Sequence, residues 1–190
     1  IIITPGGKPI IFFTILALIN PGDEVLFPDP GFPIYESMIR FVGGKAVPLP
    51  LREENAFNFD IKDLEKRLTP KTKLLILNSP ANPTGGFLEK ADLEKIVKAL
   101  AKYPDVMVLS DEIYSRILYG GKHHSIAEFP GMKERTIILD GFSKTFAMTG
   151  WRMGYAAAPK ALVTAMARLA TNCHSCTASF SQIAGIEALQ

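Results

Sequence analysis

The chain has 190 residues, 47% of them hydrophobic, and 21 Lys and Arg residues against 19 Asp and Glu residues leave a formal net charge of +2. This composition predicts one globular domain with a substantial core, and the near balance of charge argues against nucleic acid or an anionic membrane as a partner. The longest apolar run, Ile10 to Ile19, is too short to cross a bilayer, and two cysteines favour a reducing cytoplasmic location over a disulfide framework.

The first third of the chain alternates predicted strands and helices. A short strand at 1–3 leads through the turn Gly6-Gly7-Lys8 into an apolar helix at 9–19, and a glycine turn before a helix offers backbone N–H groups to an anion. A strand at 24–28 is followed by Phe32. A helix at 35–41 and a strand at 45–51 come next, and the prolines of that strand indicate a sheet edge.

The middle third continues the alternation and places polar residues after two strands. Helices are predicted at 60–68 and 88–101, and apolar strands at 73–77 and 106–109. The first of these strands runs into a loop with two Asn/Pro pairs that presents Asn82. The second ends on Asp111, and Tyr114 follows three residues later.

The last third contains a strand at 136–139, a strand at 152–158 and a helix at 160–169, and the chain ends in a helix-like segment. A polar loop at 120–131 holds His123 and His124, which we interpret as surface residues because adjacent histidines point in different directions. The lone C-x-x-C of Cys173 and Cys176 lacks the second pair that a zinc site requires, so we attribute it to chance.

The stretch Gly141–Gly154, GFSKTFAMTGWRMG, carries the clearest chemical signal. Lys144 follows a strand and has apolar neighbours, so we expect its ammonium to lose hydration and its pKa to fall toward neutral, which frees the amine to attack a carbonyl. Arg152 offers a planar fork suited to a phosphate. Taken alone, a lysine near an arginine also fits a solvated surface pair, whereas the hydrolase elbow G-x-S-x-G fails at Thr145.

The regular alternation predicts an α/β fold with a mainly parallel sheet covered by helices on both faces. The polar residues collect after strand ends, where open parallel sheets form their ligand crevice. Several strand ends carrying such residues indicate one shared binding site.

The segments TPGGK, PDPGFPIY, NSPANPTGG, SDEIY and GFSKTFAMTGWRMGY, in this order and spacing, resemble the class I and II aminotransferases of pyridoxal-phosphate fold type I. The match runs from about Thr4 to the end of the chain. The resemblance implies a seven-stranded mixed sheet sandwiched by helices. It also implies that residues 1–190 are the large pyridoxal-phosphate-binding domain of a longer protein, without its N-terminal segment and its C-terminal small domain.

The resemblance assigns a role to each motif residue. Lys144 would be the Schiff-base lysine and proton shuttle, and Asp111 would pair with the pyridine nitrogen so that the ring acts as an electron sink. Tyr114 and Asn82 would hydrogen-bond the ring oxygen, and Phe32 would stack on the ring. The phosphate would be held by Arg152, Ser143 and the backbone amides of Gly7 and Lys8.

Two departures from the family pattern limit what is implied. Gly141 stands where many relatives have a serine, which removes one phosphate contact, and no arginine stands at Thr171, where the dicarboxylate-specific branch carries one. The family's substrate-carboxylate arginine belongs to the small domain. We therefore expect weak cofactor binding and negligible transamination from these 190 residues alone.

The function implied by the resemblance is amino-group transfer between an L-amino acid and a 2-oxo acid in a cytoplasmic homodimer. Two alternatives remain open on the same scaffold: a C–S β-lyase, and a non-catalytic ligand-sensing domain of a transcription regulator. The implied partners are the amino-acid and 2-oxo-acid substrates and a second copy of the chain, with no nucleic acid, membrane or metal.

Overall fold

A computed structural model describes all residues from 1 to 190 and contains one seven-stranded sheet in the order β1-β7-β6-β5-β4-β2-β3. The five strands from β6 to β3 run parallel, and β7 pairs antiparallel with both β6 and β1. This is the predicted mixed α/β sheet. The strands are β1 (Ile2–Thr4), β2 (Glu24–Asp29), β3 (Lys45–Pro50), β4 (Thr72–Asn78), β5 (Met107–Asp111), β6 (Thr136–Gly141) and β7 (Gly154–Ala157).

Helices connect the strands and cover both faces of the sheet. None of them has the length and apolar character that a membrane span needs. The helices are α1 (Lys8–Leu18), α2 (Ile34–Phe41), α3 (Ile61–Arg67), α4 (Lys90–Leu100), the single turn α5 (Phe142–Thr145), α6 (Lys160–Cys173) and α7 (Ser179–Ala188).

The strands divide their side chains between two hydrophobic cores because successive residues of a strand point to opposite faces. On β4, Leu74 and Ile76 pack with α1, α2 and α6, whereas Leu75 and Leu77 pack with α3 and α4. The face covered by α1, α2 and α6 is called the near face below, and the face covered by α3 and α4 the far face. Burial on both faces explains why this strand reads as a continuous apolar run.

The structure corrects several predicted boundaries. β7 begins at Gly154 rather than Arg152, because Arg152 has a left-handed backbone (φ 52°) that ends a 3₁₀ turn. Helix α6 continues four residues beyond Leu169 to Cys173, since its buried stripe of Leu162, Met166 and Ala170 extends past Leu169. The predicted sheet edge is confirmed, because β3 pairs only with β2.

Candidate active site

A crevice at the carboxyl ends of the parallel strands brings together all nine residues that the sequence singles out. It encloses a cavity of about 190 Å³. Six further residues line it, and two of them, Tyr35 and Asn78, make the hydrogen bonds described below. The nine are Gly7, Lys8, Phe32, Asn82, Asp111, Tyr114, Ser143, Lys144 and Arg152.

One end of the crevice is formed by the turn before α1. Gly7 caps the helix without a side-chain acceptor, and the N–H of Ile10 donates to the carbonyl of Gly7 at 3.1 Å, so the backbone N–H groups of Gly7 and Lys8 are the ones that remain available. Arg152 lies beside this turn: its Nη1 donates to the carbonyl of Thr149 at 2.8 Å and its Nη2 to the carbonyl of Pro5 at 3.4 Å. The other guanidinium N–H groups stay free for an anion. Helix N-terminus and arginine together form a site suited to phosphate.

Gly6 allows the arginine to sit against the turn. Its backbone is left-handed (φ +86°), and a Cβ at this position would lie 2.3 Å from Nη2 of Arg152. We therefore expect Gly6→Ala to weaken the binding of pyridoxal phosphate at least about tenfold, because the methyl group displaces one charge-assisted donor. The measurement is the dissociation constant from a fluorescence or absorbance titration.

Gly22→Ala is the matched control for Gly6→Ala. Gly22 has the same left-handed backbone (φ +90°), but a methyl group on its Cα would meet no atom within 4 Å. Both variants should lose about 1–2 kcal/mol of unfolding free energy from backbone strain. Only Gly6→Ala should lose affinity, and equal dissociation constants for the two variants would contradict this role of Arg152.

Asp111 is buried at the centre of the crevice on the near face. The hydroxyl of Tyr35 donates to its Oδ2 at 2.5 Å, and the backbone N–H of Ile113 approaches its Oδ1 at 3.4 Å. Burial raises the pKa of Asp111 to about 6, against the lowering effect of these hydrogen bonds, and no basic side chain contacts the carboxylate. Oδ1 is therefore the atom best placed to accept a hydrogen bond from a cationic ligand.

Asn78 connects this aspartate to the Asn82 loop. Its Nδ2 donates to the carbonyl of Asp111 at 3.1 Å, and its Oδ1 accepts from the backbone N–H of Asn82 at 2.8 Å. The side chain of Asn78 thus fixes the position of Asp111 relative to Asn82. Sequence reasoning missed this role because an asparagine at a strand end is an ordinary turn signal.

Lys144 follows β6 in the single turn α5, but it is exposed. The expectation that apolar neighbours exclude water from the ammonium of Lys144 is wrong for this chain. Phe142 points into the protein instead, and its ring stacks on that of Phe146 with ring centroids 5.3 Å apart. The Nζ of Lys144 instead lies over the ring of Tyr114, 5.6 Å from its centroid. Across the crevice, Nζ of Lys8 lies 5.5 Å from the centroid of Phe32.

The interpretation of His123 as a surface residue is also wrong. Its Nε2 lies 3.0 Å from Oε2 of the buried Glu112, and its side chain is only 17% exposed. His124 pairs with Glu128 at 3.3 Å. The acidic partner of His123 lies 11 residues earlier in the chain, so no local spacing could reveal it.

The residues that line the crevice fit pyridoxal phosphate. Three cationic side chains against the single carboxylate of Asp111 leave a formal lining charge of +2, which complements a phosphate monoester of about −1.5 to −2. A buried aspartate without a basic partner complements a protonated pyridine nitrogen. An amine, Lys144 Nζ, lies in the same crevice. The cationic side chains are Lys8, Lys144 and Arg152.

Comparisons with known proteins identify the family of this chain. The family model described as aminotransferase class I and II matches residues 1–190. The chain is 40% identical over 190 residues to an aspartate aminotransferase of Sulfolobus acidocaldarius, covering 99% of this chain and 47% of that protein. It is 45% identical over 191 residues to aromatic-amino-acid aminotransferase 2 of Thermococcus litoralis, covering 100% of this chain and 49% of that protein.

A solved structure has the same fold. The aromatic aminotransferase from Pyrococcus horikoshii superimposes with a TM-score of 0.95 at 41% identity, covering 99% of this chain and 50% of that chain. This chain therefore spans about half the length of the relatives that it matches. With a family model that matches from the first residue to the last, the chain belongs to the class I and II aminotransferase family.

Proposed function

We propose that residues 1–190 form the cofactor-binding domain of a pyridoxal-phosphate-dependent aminotransferase, which transfers an amino group between an L-amino acid and a 2-oxo acid. The observation that carries the proposal is the crevice in which Asp111, Lys144 and Arg152 converge from three separate parts of the chain. A cytoplasmic location stays a prediction from cysteine usage, and both cysteines are free thiols.

The proposed cofactor site has two ends. The N-terminus of α1 would hold the phosphate, with Arg152 and the hydroxyl of Ser143 as further donors. Asp111, whose pKa of about 6 leaves the carboxylate mostly ionised at pH 7, would pair with the ring nitrogen. When bound, pyridoxal phosphate condenses with an amine and withdraws electrons from the carbon next to that amine.

The chain's own residues would orient the cofactor and move protons next to it. Asp111 keeps its charge next to the ring nitrogen, and Tyr35 fixes the carboxylate by donating to Oδ2 at 2.5 Å. Nζ of Lys144 accepts and returns the proton of the substrate α-carbon as a general base and acid. Its exposed position suits this movement, because an amine held in a tight pocket could not leave and return.

The function is tested by following the amino nitrogen in the full-length protein loaded with pyridoxal phosphate. We expect ¹⁵N-labelled L-aspartate or L-phenylalanine with unlabelled 2-oxoglutarate to give ¹⁵N-glutamate, since the named relatives are aspartate and aromatic aminotransferases. The control is the same protein without a 2-oxo acid. Absence of labelled product with all common L-amino acids would contradict the proposal.

The same preparation separates the two alternatives. A C–S β-lyase would break the carbon–sulfur bond of an S-substituted cysteine and release a thiol, pyruvate and ammonia without requiring a 2-oxo acid. A ligand-sensing domain would bind pyridoxal phosphate and amino acid but turn over neither substrate. Either result, without ¹⁵N-glutamate, would replace the aminotransferase proposal.

We also propose that the working form is a homodimer. The resemblance to the family implies that the apolar helix at 9–19 and residues 173–181 lie near the partner chain, but α1 is largely buried in the near-face core. Exposed apolar side chains do lie on α7, where Phe180, inside the 173–181 region, is 70% exposed and Ile183 is 67% exposed. Burial of such side chains favours association. Multi-angle light scattering of the full-length protein at micromolar concentration should give the dimer mass, and an active monomer would contradict this.

A further inference from the structure

A buried polar cluster lies directly behind the crevice, on the far face of the sheet. Its centre is Glu112, whose Oε1 accepts hydrogen bonds from the hydroxyls of Ser110 at 2.8 Å and Ser125 at 2.6 Å. Its Oε2 lies 3.0 Å from Nε2 of His123. Neither the proposed cofactor contacts nor the proposed proton transfers use any of these groups.

Asp111 ends β5 and Glu112 follows it directly, and their side chains point to opposite faces of the sheet. Leu109 packs in the near-face core and Val108 in the far-face core. By alternation Asp111 points to the near face, whereas Ser110 and Glu112 point to the far face. The backbone N–H of Glu112 donates to the carbonyl of Leu139 on β6 at 2.8 Å, which fixes the position of this pair of carboxylates.

Glu112 is held as a buried group with three side-chain partners around it. Only 9% of its side chain is exposed. The two hydroxyls and the imidazole replace the water that a buried carboxylate requires. One hydroxyl belongs to Ser125, which also caps the 3₁₀ turn Ile126–Glu128. The cluster therefore anchors the 120–128 loop and holds a negative charge at a defined place.

The cations Lys8, Lys144 and Arg152 line the crevice in front of Asp111, whereas the charged groups that raise its pKa from behind are acidic. Tyr35 contacts it from α2, and Asp140 on β6 lies on the far face with Tyr155 donating to its Oδ2 at 3.0 Å. Burial is the main cause that raises the pKa of Asp111, and the charges of Asp140 and Glu112 raise it further. The nearby cation Arg116 acts on Asp140 and Tyr155. The acidic side chains of Asp140 and Glu112 on the far face thus make the electrostatic potential at Asp111 more negative.

We propose that Glu112 is a positioning residue whose fixed charge, behind Asp111, favours a protonated ring nitrogen in the crevice. The proposal rests on pyridoxal phosphate as the ligand. A negative charge within about 10 Å that is shielded from water stabilises a cation even without touching it. Glu112 and Asp111 together hold the ring in the form that withdraws electrons.

The alternative is that Glu112 only anchors the 120–128 loop, and two variants separate these roles. Glu112→Gln removes the charge and keeps the shape, because hydroxyls rotate and the imidazole can exchange its donor nitrogen. Ser125→Ala removes an anchoring hydrogen bond and keeps the charge. The readout is the pKa of Asp111 in the cofactor-free full-length protein, measured by ¹³C NMR of the labelled carboxyl group.

We expect Glu112→Gln to lower the pKa of Asp111 by about half a unit, and Ser125→Ala to leave it unchanged while lowering the melting temperature. With ¹⁵N-labelled cofactor bound, the ring nitrogen of Glu112→Gln should lose its proton at a lower pH than in the wild type. Asp140→Asn tests the same far-face field without disturbing the Glu112 anchor, and it too should lower the pKa of Asp111.

An unchanged pKa of Asp111 in Glu112→Gln overturns the proposal. If that variant does not fold, an unchanged pKa in Asp140→Asn overturns it, because the far-face charge then does not reach Asp111. Failure of wild-type protein to bind pyridoxal phosphate would instead contradict the proposed function. The cofactor-free NMR comparison still decides whether Glu112 acts on Asp111 in that case.

Discussion

Replacing Lys144 with alanine should abolish amino transfer, with a loss of at least about 10⁴-fold in kcat in the full-length protein. In the proposed mechanism Lys144 supplies both the amine that attaches the cofactor and the group that moves the α-proton, so alanine would remove two functions at once. The fold should be unaffected, because the side chain is exposed and its Nζ lies only over the ring of Tyr114. The measurement is steady-state turnover together with the visible absorbance of dialysed protein.

Lys160→Ala is the matched control for this substitution. Lys160 is also an exposed lysine that follows a strand of the same sheet, at the start of α6, but it does not line the crevice. The variant should retain its yellow absorbance after dialysis and turn over at the wild-type rate. Lys144→Ala protein that remains yellow after dialysis and is still active would assign the attachment to another amine.

Asp111→Asn should lower kcat by about 10²-fold or more while the protein remains folded. Asparagine keeps the shape of the side chain and can still accept from Tyr35, but it removes the charge that, in the proposed site, would hold a proton on the ring nitrogen. Electron withdrawal then weakens in the transition state more than in the ground state. Stopped-flow measurement of α-proton removal from a deuterated amino acid reports on this step directly.

The pH dependence of cofactor binding gives a second measurement for the same variant. Asp111 is protonated and neutral below its raised pKa of about 6, so wild-type affinity for pyridoxal phosphate should fall as the pH falls through about 6. This fall in affinity near pH 6 should be missing in Asp111→Asn.

Tyr35→Phe, which keeps the charge of Asp111 and loses one hydrogen bond, should reduce kcat by less than about tenfold. Equal losses of kcat in Tyr35→Phe and Asp111→Asn would contradict the role of charge.

The sequence predicts the sheet and the location of the crevice well, for physical reasons that act locally. A strand buried on both faces needs a continuous apolar run, as in β4, and its end is marked where the run meets Asn78 and Ser79. Because parallel strands end at one edge, residues as distant in sequence as Lys8 and Arg152 could be expected in one site.

Contacts within the site were less predictable, because they depend on which side chains meet across the sheet. Tyr35 and Asp111 are 76 residues apart, and the tyrosine fits the apolar side of α2 equally well as a core residue. The exposure of Lys144 depends on Phe142 turning inward. The pairing of His123 with Glu112 depends on how the 120–128 loop folds back over the far face.

The most direct test of the central claim is to locate the attached cofactor. Full-length protein loaded with pyridoxal phosphate is reduced with borohydride, digested and analysed by mass spectrometry. We predict a single pyridoxyl group on the Nζ of Lys144, in the crevice with Asp111 and Arg152. A pyridoxyl group on Lys8 or on any other lysine, or no modified peptide at all, would contradict it.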